Sequence, residues 1–295
     1  MAFAVANIRK IKTSDITFSD PIKNKKTNAV SVAMLYNGQK VQFRLPKIGF
    51  PGGVLVRTQD SGQTTYTLIA SLTGCDPYAN ERATGDSDAE IVYNFMRDVE
   101  DKVVQAAFDN STRWFGKKRS MESLHETFKR CVTASVSKDE EGAWVPNGKY
   151  PPSVRFKVPV WEGKVNMSVI DSESNPLDVN LDTLATMFPK ASSAKAVVVG
   201  SIYVAGLSFG ITWKITDAQV FHQRRMTAAD KFRDDEDDEE RVPTAPAPAA
   251  VFADDEEEQQ EEIKESVPAP EPAPAQESVP QKTTGGAAPR RRAKA

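Results

Sequence analysis

Residues that commonly carry catalysis are sparse in this chain. Two histidines, His125 and His222, and two cysteines, Cys75 and Cys131, are all that 295 residues contain of those types. Neither histidine sits in a His-Glu-x-x-His array, and no zinc-type spacing joins the cysteines. A zinc site drawn from all four has no support in the spacing. Two lone cysteines fit a reducing compartment and buried thiols better than a disulfide framework. Gly49-Phe-Pro-Gly-Gly53 is glycine-rich but lacks the Gly-Lys-Ser/Thr ending of a phosphate-binding loop, so it reads as a wide turn. Carboxylates crowd into the last quarter of the chain, where nothing in the composition could position them for acid–base work. An enzyme is disfavoured, and no metal or cofactor is expected.

Cations and aromatics offer a different chemistry. Binding of single strands without sequence preference needs a cationic groove for phosphates and aromatic faces for bases. Alternating segments place Lys40, Arg44, Arg155, Lys157 and Lys214 on outward positions. The amino-terminal segment adds Arg9, Lys10, Lys12, Lys23, Lys25 and Lys26. The stretch Arg113-Trp-Phe-Gly-Lys-Lys-Arg119 combines both chemistries, with Arg113, Lys117 and Lys118 as phosphate contacts and Trp114 as a stacking face. Each has a plainer reading. Outward Lys and Arg on half-buried strands are usually a solvated face. Phe43, Phe156, Phe209 and Trp213 share faces with aliphatic residues and read as core. Trp144 and Trp161, bordered by charge and glycine, fit either reading.

Charge is distributed unevenly. Between Asp234 and Pro280 seventeen acidic residues face two basic ones, a net −15. The last fifteen residues add +5, which leaves residues 1–233 at +7 in a chain of net −3. A cationic body is thus tied to an anionic polymer, an arrangement that governs partners and association rates rather than fold. From about residue 234 the Pro/Ala/Glu-rich sequence has too little apolar surface to offset the entropy of ordering, so a disordered acidic tail with a basic tip is expected over 234–295. On a flexible leash such a tail reaches a high effective concentration at the body's own groove and competes there as a polyanion. No apolar run approaches the roughly 18 residues of a membrane span, and the start carries no signal-peptide pattern. An intracellular, non-secreted protein with no membrane partner is expected.

These side chains must be held by the 1–233 body. Asn28–Tyr36 and Lys40–Leu45 flank Asn37-Gly38, which predicts a tight hairpin. Pro46–Gly53 reads as a loop and Thr64–Leu72 as the next strand. Ser87 and Glu90 form a capping box ahead of Ile91, Phe95, Val99 and Val103, predicting a helix over about 88–108 within a helical insertion at about 87–130. A shorter helix follows Ser120. Strands return at Ser153–Val160, Lys164–Ile170, Ala194–Val204 and Phe209–Phe221, with a short helix at Leu181–Phe188 capped by Asn180. Gly200 suggests a bend or bulge, and a phase slip at Asp217–Ala218 suggests a bulge. The chain is mainly β, and the pattern fits an antiparallel barrel or a sandwich equally.

Three segments carry a family resemblance. Lys12-Thr-Ser-Asp-Ile-Thr-Phe18 with Asn37-Gly38, the Lys40–Pro46 strand running into Gly49-Phe-Pro51, and Phe209-Gly-Ile-Thr-Trp-Lys214 with Gln219-Val220 resemble the single-stranded DNA-binding proteins of large DNA viruses of algae and amoebae, relatives of the acidic-tailed phage proteins. The likeness spans about residues 10–225. It implies an OB-fold-like antiparallel barrel with a helical insertion and a role in viral DNA replication, recombination and repair. It also implies a tail that contacts a polymerase or primase-helicase, at a viral replication site in the host nucleus or cytoplasm. By position it would place Arg44, Arg155, Lys157 and Lys214 along the DNA groove. One departure stands out: the phage acidic run ends on an aromatic residue, whereas here Phe252 is internal and Arg290–Lys294 closes the chain. A homo-oligomer is compatible with exposed strand edges. The rival readings are an acidic-tailed structural, virion or histone-chaperone-like protein, and an RNA-binding protein.

Overall fold

Period-two alternation becomes a closed ring of strands. The computed structural model describes residues 3–25, 29–59 and 62–221. They belong to the first of the two units into which the chain divides, Met1–Phe252 and Ala253–Ala295. The expected tail over 234–295, together with Lys26 and His222, lies outside the described residues.

Strands β1 (Val30–Tyr36) and β2 (Gln39–Phe50) meet at Asn37-Gly38. Both turn residues have positive φ, 52° and 75°, as a two-residue turn matched to strand twist requires. There follow β3 (Thr64–Ser71), β4 (Ser153–Val158), the small hairpin β5 (Val160–Trp161) and β6 (Lys164–Val165), and the long pair β7 (Ser192–Ala205) and β8 (Ser208–Phe221). Helices α1 (Asp88–Asp109), α2 (Ser111–Phe115) and α3 (Met121–Thr127) are inserted between β3 and β4, and α4 (Leu181–Met187) precedes β7.

Five strands close on themselves. β2 meets β3 at Gly49 and Ser71, β3 pairs antiparallel with β4, and β4 runs parallel to β8 with Phe156 beside Trp213. β8 pairs antiparallel with β7, and β7 returns antiparallel to β2, from Ser192–Phe50 to Val198–Phe43. Counted along the chain, the ring order is first, second, third, fifth, fourth. That is a five-stranded Greek-key barrel of the OB type, which resolves the choice the alternation alone left open.

The inward residues form the core: Val41, Phe43, Leu45, Ile48 and Phe50 on β2, Leu68 and Ala70 on β3, Val154, Phe156 and Val158 on β4, and Phe209, Ile211, Trp213 and Ile215 on β8. Helices close the barrel at two places. Phe95 of α1 packs on Phe43 at 5.2 Å and Trp213 at 6.4 Å, and Phe188 just after α4 meets Phe50 at 6.2 Å. The predicted capping box starts α1, with the Glu90 amide donating to Ser87 Oγ at 3.3 Å and the Ser87 amide donating to Glu90 Oε2 at 3.1 Å. Such a cap contributes about 1 kcal/mol. Buried Glu100 ties the insertion back to the barrel: its Oε1 accepts from the Cys131 amide at 2.6 Å and the Val132 amide at 2.9 Å, and its Oε2 lies 3.4 Å from Arg97 Nε.

Three sequence expectations change. Pro46–Gly53 is not a loop throughout, because β2 continues to Phe50. The inward phase slips at Pro46, opposite the register shift between Lys195 and Val197, where the missing proline N–H costs no ladder bond. Lys164–Ile170 divides into β6 and a separate strand at Ser168–Ile170, which pairs with β8. Gly200 marks close packing rather than a bend or bulge, since it stays in register opposite Trp213 and a Cβ there would sit 2.7 Å from both Met34 Sδ and Trp213 Cζ3. The bulge expected near Asp217 is present: Val197 pairs with Asp217 and Val198 with Ile215, leaving Thr216 as the extra residue.

Candidate nucleic-acid interface

The same alternation that buries one side of β4 and β8 exposes the other. On β4, Val154, Phe156 and Val158 point inward, and Arg155 and Lys157 outward. On β8, Trp213 and Ile215 point inward and Lys214 outward. Because β4 and β8 run parallel in register, Lys157 lies directly beside Lys214, on strands about 4.8 Å apart. Both lysines are exposed, and neither has an ion-pair partner among the described residues. On the other side Lys157 neighbours Thr67 and Arg155 neighbours Ile69 of β3. The outward residues of β3, β4 and β8 up to the bulge include Thr65, Thr67, Arg155, Lys157, Thr212, Lys214 and Thr216, with no carboxylate. Like charges directly opposite on neighbouring strands repel. An anion laid across the pair would remove that cost.

The other candidates are distributed over separate places. Arg44 is exposed on β2, one strand beyond β7 from Lys214, and lines a cleft of about 670 Å³ with Arg9, Lys47, Lys195, Asp88 and Asp217. Arg9 is ion-paired with Asp88, and the Lys47 and Lys195 amines lie over the Phe221 ring at 4.7 and 5.5 Å. Lys40 is exposed beside the β1–β2 turn, opposite Leu35 and four residues from Arg44. Lys117 and Lys118 are exposed between α2 and α3. Their loop is held near the β7–β8 turn by Arg119, which donates to the Leu207 carbonyl at 2.8 Å and stacks over Phe115 at 4.9 Å.

The stacking role expected for Trp114 is corrected. Its ring is 3 % exposed and packs edge-on against Phe18 at 6.0 Å, so it presents no face to a base. Arg113 beside it is ion-paired with Asp20. Phe115 is half-buried against Phe209 at 5.3 Å. Trp144 is half-buried under Lys138, whereas Trp161 is 73 % exposed. In the sequence Trp161 fits either reading, and Lys47 and Lys195 do not stand out, the latter because it sits inside an apolar run. The continuing alternation 155, 157, 161 was the signal that could have marked Trp161.

Neither thiol is poised for chemistry. Burial, with Glu90 adding to it, pushes Cys75 up to about 11, and burial near Glu100 holds Cys131 well above the usual thiol range. Both stay protonated at neutral pH. Among the described residues no group of three or more His, Cys, Asp or Glu could hold a metal ion, and no helix is long and apolar enough to cross a membrane.

Fold and surface together define a Greek-key barrel whose second, third and fifth strands, the fifth as far as its bulge, present a cationic outer face without carboxylates. Against known proteins, no family model matches the chain and no curated sequence matches it. Among solved structures it is similar to a single-stranded DNA-binding protein from bacteriophage Enc34 in complex with ssDNA, at 8 % identity and a TM-score of 0.33 over 70 % of this chain and 92 % of that one. It is also similar to gp2.5, a single-stranded DNA-binding protein encoded by bacteriophage T7, at 9 % identity and a TM-score of 0.36 over 68 % of this chain and 98 % of that one. Superpositions at TM-scores of 0.33 and 0.36 assign no ligand and no residue roles. What this surface can hold follows from its own charges.

Proposed function

We propose that this chain is a non-enzymatic single-stranded DNA-binding protein that coats unpaired strands during DNA replication, recombination and repair in a virus-infected cell. The observation that carries the reading is the register pair Lys157–Lys214, with Arg155 beside it, on the part of β3, β4 and β8 before the β8 bulge, whose outward residues include no carboxylate. Barrels of this type bind oligonucleotides on the face of their second and third strands and on the loops at its rim. Here that face is β3 and β4, extended by β8. Lys117 and Lys118 add charge beside the turn joining the fourth and fifth barrel strands. Arg44, with Lys40 four residues before it, lies on β2, across β7 from Lys214.

In this reading the acidic segment 234–280 is a tethered DNA mimic that displaces weakly held ligands and recruits replication proteins such as a polymerase or primase-helicase. The site of action is a replication compartment in the host nucleus or cytoplasm.

Titrating the full chain with fluorescent oligo-dT across a salt series tests the proposal. Binding is expected with log affinity falling linearly in log salt, by about 0.7 per phosphate neutralised. Removal of residues 234–295 is expected to tighten binding at low salt. Absence of binding in dilute buffer by both forms would overturn the reading, and tighter binding of oligo-rU would redirect it to RNA.

A further inference from the structure

Trp161 is the most exposed of the large apolar side chains in the described residues, at 73 %. Its position follows from local rules. Inward alternation on β4 at Val154, Phe156 and Val158 carries through Pro159 to Val160, which packs partly buried against the core. The opposite parity, Arg155, Lys157 and then Trp161, therefore points away from the barrel. The hairpin repeats this logic. Val160 pairs with Val165, and both rest on the core, while Trp161 pairs with Lys164, and both are exposed. Glu162 and Gly163, at φ 50° and 76°, make the tight turn that holds this closing pair in place. The indole is thus held on a short, anchored ribbon rather than on a long loop.

A single exposed apolar residue is ordinary on a protein surface. Here its neighbours make the difference. At the outward parity the chain presents Arg155, Lys157, Pro159 and then the indole of Trp161, with a third cation, Lys164, across the hairpin, a fourth, Lys214, across β4–β8, and one carboxylate, Glu162, in the turn. That alternation of charge and aromatic face is what an unpaired nucleic-acid strand needs, phosphates on the cations and a base on the ring.

We infer that Trp161 is a base-stacking platform that extends the β4–β8 face along the β5–β6 hairpin. This inference rests on the single-strand-binding reading above and adds to it a specific contact. The occupant is a nucleobase of the bound strand, and the contact is indifferent to base identity because every base has a π face.

The experiment uses the full chain and its own fluorescence. Trp114 and Trp213 are buried at 3 % and 1 % exposure and Trp144 is half-covered, so the emission component open to iodide belongs mainly to Trp161. Oligo-dT is expected to quench that component and shield it from iodide. Trp161→Ala is expected to abolish the quench and weaken binding about tenfold to hundredfold, the size of one base–aromatic stack, with the salt slope unchanged. Trp161→Phe is expected to recover most of the affinity. Full affinity in Trp161→Ala overturns the assignment and leaves the lysine face standing. A loss of affinity accompanied by a flatter salt slope also overturns it, since the residue would then act through the cations. A wild-type chain that ignores oligo-dT at every salt overturns both the assignment and the reading beneath it.

Discussion

Two stretches of this chain look alike on paper and end up opposite in space. Arg113–Arg119 and Arg155–Trp161 each place cations next to an aromatic residue. In the first, α2 turns Trp114 into the core against Phe18, and Arg113 is neutralised by Asp20. In the second, β4 keeps Phe156 in the core and sends Arg155 and Lys157 outward, and β5 leaves Trp161 exposed. The difference lies in the element that carries each stretch. A strand on a barrel has one wet face with a period of two, so like residues accumulate there. A short helical turn beside a barrel and a longer helix directs its bulky residues, Trp114 and Phe115, wherever the gap is.

The contrast can be broken or sharpened experimentally. The largest effect is expected at Trp114: Trp114→Ala leaves a cavity and should cost about 3–5 kcal/mol in denaturant unfolding, with oligonucleotide affinity of the folded fraction unchanged. Loss of affinity without loss of stability would restore Trp114 to the interface. Next comes the pair Lys157→Ala with Lys214→Ala. Measured by oligo-dT titration, the salt slope should flatten by about 1.4, at roughly 0.7 per cation, while the melting temperature holds because a like-charge pair has been removed. An unchanged slope would move the groove elsewhere on the barrel. Smallest is Arg113→Ala. Its pair with Asp20 is exposed, so about 0.2–1 kcal/mol of stability is expected to be lost, with no change in slope. A slope change there would show that the α2 stretch meets phosphates after all.

The cleft beneath Arg44 sharpens the picture differently. By sequence, Arg44 belongs with Arg155, Lys157 and Lys214 as an outward strand cation. In the fold it sits across β7 from Lys214 and shares its surroundings with Asp88 and Asp217. Its neighbours are partly neutralised by acids, whereas those of Lys157 are not. In the proposed reading the direct pair on β4 and β8 is therefore expected to be the stronger phosphate contact.

Much of the fold could be read from the residues alone. The Asn37-Gly38 hairpin, the Ser87/Glu90 cap, the α1 register and the bulge near Asp217 are local features, each decided by a few neighbouring side chains and backbone preferences. Pro46 is misleading in the sequence because a proline usually ends a strand, and only the irregular register opposite Lys195 and Val197 shows why this one does not. The candidate site was legible as a set of outward cations and illegible as an arrangement.

Sequence by itself determined which residues alternate, where the long helix starts, and that a +7 body is joined to a −15 segment, because charge and period are properties of the chain order. Tertiary structure alone decided that β4 lies beside β8, so that Lys157 meets Lys214, and that Trp114 is enclosed while Trp161 stands in solvent. Those outcomes depend on closing a ring through strands distant in the chain, and hydrophobic packing settles which side chains that ring encloses.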